Sequence, residues 1–218
     1  MARAKARRKA TTGRAKRTGR PAPPRRSTPE DRLIDAALEL AARQGWHGIG
    51  LAQIAAEAGL PLYEAYALHR SKAAILGAFT RRVDRAALAA APDAGDTPRE
   101  RLFELLMRRF EELRPHRLAL KHIVRERMGH PAALCGLLRL RRSLRWMLEA
   151  AGASPVGYAG ALMVSGLSVV YLSALRVFLD DNSEDLGRTM ATLDRSLRRA
   201  ESAWNRLPRL RRPAASAA

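Results

Sequence analysis

The 218-residue chain carries 40 Lys and Arg against 21 Asp and Glu, a formal net charge of +19, and is 47% apolar but only 5% aromatic. An apolar fraction supplied mainly by Ala and Leu favours helices over sheets, and the length allows one or two compact domains. A lone cysteine, Cys135, excludes an intramolecular disulfide framework and any cysteine-cluster zinc site, and fits a reducing, cytoplasmic setting.

The charge sits at the ends. Residues 1–26 hold 11 basic and no acidic side chains, and residues 195–218 hold 7 basic and 1 acidic, whereas 27–194 hold 22 basic and 20 acidic. The folded part is therefore nearly neutral. No apolar run follows the basic start, so a secretory signal is not expected, and Pro21, Pro23 and Pro24 interrupt any amphipathic targeting helix. Residues 1–26 read as a disordered polycationic arm that binds polyanions by counterion release, and 206–218 as a basic disordered tail.

Past the arm the pattern is helical. Thr28-Pro29-Glu30-Asp31 places an N-cap, a proline at the first helical position and acids in the first turn, which predicts a helix over 29–44 ending at Gly45. Two short helices follow near 51–58 and 61–69, separated by Gly59-Leu60-Pro61, and a fourth runs from Lys72 to about 90. Thr97-Pro98-Arg99-Glu100 repeats the start signal as a capping box, with Leu102, Leu106, Phe110 and Leu113 forming one stripe behind it. Helices near 116–127 and 131–150 come next, and a last one follows Asp180-Asp181-Asn182-Ser183 and continues to about Trp204.

Residues 150–175 contain no charge, a length that would cross a bilayer. Gly152, Ser154, Pro155, Gly157, Gly160, Ser165, Gly166 and Ser168 dilute the run, so a helix buried in a bundle or dimer is the better reading and no stable membrane insertion is expected. Leu186, Met190, Leu193, Leu197, Ala200 and Trp204 alternate steps of four and three, a seam for a partner helix within the chain or from a second copy.

The informative segment is 50–69, GLAQIAAEAGLPLYEAYALH. Two helices that cross steeply need a small residue at their contact and a glycine in the turn, roles that Ala55 and Gly59 fit, with Ile54, Ala58, Leu60, Ala65 and Leu68 inward. This is the pattern of a helix-turn-helix. From Ala36 to Leu76 the chain resembles the TetR family of bacterial transcriptional regulators: a first helix, Gly45-Trp46, Ile54-Ala55, Ala58-Gly59-Leu60, Tyr66, Ser71-Lys72 and Ile75-Leu76. The resemblance implies that the second helix of the motif enters the major groove and that Tyr66 and Lys72 touch phosphates. Leu62, Tyr63, Glu64 and Ala67 then fall at base-facing positions, and Gln53, Pro61 and His69 complete the candidate DNA-binding set. Between Glu30 and Leu76 stand 4 basic and 6 acidic residues, so the basic arm has to supply cations that the motif lacks.

Downstream, Arg101-Leu102-Phe103, Phe110-Glu111-Glu112-Leu113 and Asp181-Asn182-Ser183-Glu184-Asp185 with Thr189 and Leu193 are similar to the ubiquinone-biosynthesis accessory family. That resemblance implies the same fold, an apolar lipid cavity and no operator. His47, His69, His116, His122 and His130 fall in no metal-binding spacing, and no nucleophile motif or phosphate loop is present, so neither an enzyme nor a cofactor is expected. The expected architecture is all-α. Residues 27–92 form a DNA-binding head with its connecting helix, and 96–205 a helical body that dimerises and takes a small apolar ligand. Double-stranded DNA is the expected partner of a dimeric repressor, and the lipid-binding accessory protein is the alternative.

Overall fold

The structure, a computed structural model, describes residues 28–89, 97–127 and 132–206. The expected basic arm and nearly all of the expected tail lie outside the described residues, as do Pro92 and Gly95, the expected close of the fourth helix. Nine α-helices and one short 3-10 turn make up the described residues, with no strand among them. The all-α expectation holds.

Both threonine start signals work as read. Helix α1 (Pro29–Gln44) begins at Thr28, whose Oγ1 accepts the Asp31 N–H at 3.1 Å while the Asp31 carboxylate accepts the Thr28 N–H at 3.3 Å. Thr97 and Glu100 make the same reciprocal pair ahead of the helix Pro98–Leu113. Each cap satisfies two backbone donors that a helix start otherwise leaves open.

The short helices α2 (Leu51–Glu57) and α3 (Leu62–Leu68) and the long α4 (Lys72–Ala89) complete the head. The body follows as α5 (Pro98–Leu113), a 3-10 turn at Arg114–His116, α6 (Arg117–Arg127), α7 (Ala132–Ala150), α8 (Gly157–Phe178) and α9 (Gly187–Asn205). Helix α1 packs on α2, α4 and α6, so it holds the head against the body, and α4 reaches on to α5 and α7. One continuous core runs from Leu33, Ile34 and Leu38 through Phe79 and Val83 to Phe110, Phe178 and Leu193.

Helix α8 is the uncharged run. It is long and apolar enough to cross a membrane, but one face is core: Val164, Leu167, Val170, Tyr171, Ala174 and Phe178 are buried. Phe110 stacks on Tyr171 at 5.2 Å and meets Phe178 at 5.1 Å. The α9 seam is met largely within the chain, because Leu186, Leu193 and Leu197 are buried and α9 packs on α8 and α5; Met190 alone of the six points outward as an exposed residue.

Helix α9 has an unusual start. Leu186 sits left-handed at φ 54°, a conformation that costs an L-residue about 1–2 kcal/mol, while its side chain is fully buried. The acid-rich turn before it has one fully buried member. Asp181 Oδ2 accepts the Thr189 N–H at 2.8 Å and the Thr189 hydroxyl at 2.7 Å, and Oδ1 accepts the N–H and hydroxyl of Ser183. Burial pushes the Asp181 carboxyl up, but the hydrogen bonds from Ser183 and Thr189 outweigh it and hold the pKa down to about 2.

A second buried polar group ties four helices together. Arg109 of α5 pairs with Asp84 of α4 and donates from Nε to the Tyr171 hydroxyl of α8 at 3.0 Å, and the Ser143 hydroxyl of α7 donates to the same Asp84. Arg109 and Ser143 are buried, so α4 is pinned to the body by charge as well as by apolar contact.

Candidate nucleic-acid interface

The turn of the motif is built as its sequence demands. Helix α2 is capped at its C-terminus by Ala58, and Gly59 follows at φ 62°, a left-handed position that glycine takes without penalty. The Leu60 N–H donates to Ala55 O at 2.9 Å and the Gly59 N–H to Ala56 O at 3.0 Å, a Schellman closure that satisfies the last carbonyls of the helix. Arg32 of α1 donates to Ala58 O at 3.1 Å and holds the turn to the head. Ile54, Ala55, Ala58, Leu60 and Ala65 are buried, as expected; Leu68 is not, being 39% exposed.

With the inner positions filled, the outer face of α3 is free. Tyr63 is 72% exposed, Tyr66 54% and Leu62 51%, and Pro61, Ala67 and Gln53 are exposed beside them. Leu51, Ala52, Leu62, Tyr63 and Tyr66 line a shallow apolar concavity between α2 and α3. Glu64 is half-buried and accepts the Tyr63 hydroxyl at 3.1 Å, a bond that pushes the Tyr63 pKa up. Gln53 Oε1 accepts the Gly50 N–H at 2.8 Å, the half of a capping box that survives where the cap residue, Gly50, has no side chain to accept a helix N–H.

Two members of the candidate set are placed differently from the expectation. His69 is only 8% exposed and faces Glu30, with Nε2 3.1 Å from Oε1, because the chain turns inward there to start α4; it presents nothing to an outside partner. Lys72 is half-buried, and its ammonium donates to Trp46 O at 2.7 Å and Ile49 O at 2.6 Å while lying 5.1 Å from the Trp46 ring centroid. Burial lowers the Lys72 pKa, and the charge of Glu126 opposes that effect. Its ammonium thus holds the loop that leads into the motif.

The same loop is gripped from its other side. Glu126 of α6 accepts the His47 N–H at 2.6 Å and approaches His47 Nδ1 at 2.8 Å. Burial raises the Glu126 pKa, but these bonds and one from the Trp46 N–H bring it below its ordinary value. Gly45, at φ 79°, makes room: a Cβ there would lie 2.5 Å from Glu126 Oε1. The sequence gives no hint of Glu126, since it lies 79 positions from His47 and belongs to no local pattern.

A rigid pair of short helices with a closed turn, buried inside and exposed along the second helix, defines a helix-turn-helix of the DNA-binding type. Over most of its length the chain has the fold of TetR-family transcriptional regulators, a non-enzymatic class. A TetR regulator from Nitrosomonas europaea is 27% identical, with a TM-score of 0.66 over 79% of this chain and 98% of that one. A TetR regulator from Rhodococcus sp. RHA1 is 15% identical, with a TM-score of 0.59 over 79% and 94%. The TetR-family repressor FadR of Thermus thermophilus, solved with lauroyl-CoA, is 20% identical, with a TM-score of 0.52 over 87% and 99%. No protein-family model matches the sequence, nor does any curated protein. These structures bear out the TetR resemblance, and none of them supports the similarity of 100–194 to the ubiquinone-biosynthesis accessory family.

Proposed function

We propose that the protein is a dimeric, DNA-binding repressor whose grip on its operator responds to a small apolar ligand. The observation that carries this reading is the outer face of α3, left exposed by a motif whose inner face is fully packed. In this reading residues 27–92 are the DNA-binding head and 96–205 the ligand-binding and dimerising body. Tyr66 contacts phosphate, and Leu62, Tyr63, Glu64 and Ala67 face the bases, with Gln53 and Pro61 at the edge. Lys72 acts through the loop it holds.

Two further features support it. Tyr158, Leu162, Val169 and Leu172 are exposed along α8 at helical spacing, a face suited to a second copy, and Met190 of α9 is exposed as well. In a two-fold dimer the recognition helices must stand about 34 Å apart to enter successive major grooves, so a ligand that favours one setting of α4 against the body alters binding. The lauroyl-CoA bound by the Thermus relative carries an apolar acyl tail, which supports an effector with an apolar part.

The experiment is electrophoretic retardation of duplex DNA across a salt series, with the full chain and with residues 1–26 deleted. The full chain should retard DNA in a salt-dependent manner. The deletion should weaken binding to all duplexes and flatten the salt slope by about 0.9 for each phosphate that the arm no longer neutralises. Absence of salt-sensitive retardation by the full chain would overturn the reading.

A further inference from the structure

The chemistry of the exposed face narrows what it recognises. Residues 61–68, PLYEAYAL, contain no Arg, Lys, Asn, Gln, Ser or Thr. Guanine is ordinarily read by Arg or Lys at O6 and N7, and adenine by Asn or Gln at N6 and N7. Helix α3 offers neither. Its polar groups are two tyrosine hydroxyls and the Glu64 carboxylate, and that carboxylate already accepts the Tyr63 hydroxyl.

What the face does offer is apolar shape. Leu51, Ala52, Leu62, Tyr63 and Tyr66 form one concavity open to the outside. In the major groove the single apolar feature among the base edges is the C5-methyl of thymine. Arg70 is exposed in the link after α3, and 11 basic residues of 1–26 precede α1 in the sequence. An apolar face in a motif flanked in sequence by basic residues complements a groove whose floor carries methyl groups and whose walls carry phosphates.

We infer that the α2–α3 concavity reads thymine methyl groups, so that sequence selectivity comes from apolar contact and affinity from phosphate contacts, those of Tyr66 at the concavity's edge and those of basic residues outside the motif. This inference rests on the DNA-binding reading above and adds the class of base feature that the motif selects.

The test uses the full chain and a pool of duplexes whose randomised core spans about two helical turns. Bound duplexes are recovered and sequenced, and the enriched duplex is then resynthesised with deoxyuridine in place of thymidine, which removes the methyl and nothing else. Enriched cores should hold thymine at fixed positions, and each methyl removed there should weaken binding about three- to five-fold. In Leu62→Ala the difference between the thymidine and deoxyuridine duplexes should shrink towards one-fold. An enriched core that binds equally well with deoxyuridine overturns the inference and leaves a DNA-binding regulator standing. Salt-sensitive binding with no enriched core does the same. No salt-sensitive binding at all overturns the DNA-binding reading and the inference with it.

Discussion

Asp181 is the side chain on which the start of α9 most depends, and Asp181→Asn isolates its charge. The wild-type carboxylate takes four hydrogen bonds, two on each oxygen, from Ser183 and Thr189, in a site sealed from water. Asparagine keeps the shape but turns one oxygen into an NH2 that faces two donors. Two bonds to a charged acceptor disappear and the others become neutral, which costs about 2–4 kcal/mol. For a chain of this size the melting temperature should fall by about 5–12 °C at neutral pH, read by far-ultraviolet circular dichroism. The acid branch supplies a second readout. The native pKa lies below the ordinary 3.8, so the stabilisation is fully present above that value and is lost as pH falls through about 2. The gap between wild type and Asp181→Asn should therefore close as the solution is acidified over that window. A variant that melts within about 1 °C of wild type at neutral pH, or a gap indifferent to acid, would refute the reasoning.

Three further outcomes follow from the geometry. Gly45→Ala should destabilise by about 1–3 kcal/mol in chemical denaturation, because it combines a left-handed backbone with a Cβ 2.5 Å from Glu126 Oε1; made in a Glu126→Ala background, where the collision is gone, the same substitution should cost less. Lys72→Ala should weaken DNA binding in retardation assays and also lower the melting temperature, since it strips the Trp46 and Ile49 carbonyls of their donor, whereas Tyr66→Phe should weaken binding with stability unchanged. Arg109→Ala should cost about 3–5 kcal/mol by leaving the Asp84 carboxylate without its cation inside the body, measured by denaturant unfolding.

Local chemistry was legible and distant pairing was not. Thr28-Pro29 and Thr97-Pro98 announce helix starts because a cap, its proline and its reciprocal acid lie within four residues. Gly59 announces the turn because few other residues take its backbone conformation. The outer face of α3 was readable as the complement of a buried pattern, although Leu68 fell on the wrong side. His69 and Lys72 were misplaced for a shared reason: family position gave them an outward role, whereas the inward entry into α4 directs one at Glu30 and the other at two loop carbonyls. The Asp84, Arg109, Ser143 and Tyr171 group draws on four helices, and charge counting along a chain contains no trace of such a meeting.

The loop between α1 and α2 has mechanical consequences. Its backbone donors are taken by a carboxylate of α6 and two of its carbonyls by an ammonium of α4, so the entry to the motif is fastened at two polar rivets, in addition to the packing of α2 on α1 and of α3 on α2. The turn between α2 and α3 is closed by its own hydrogen bonds. A displacement of α6 would therefore be transmitted first to this loop and the start of α2, while the elbow between the two short helices keeps its own closure.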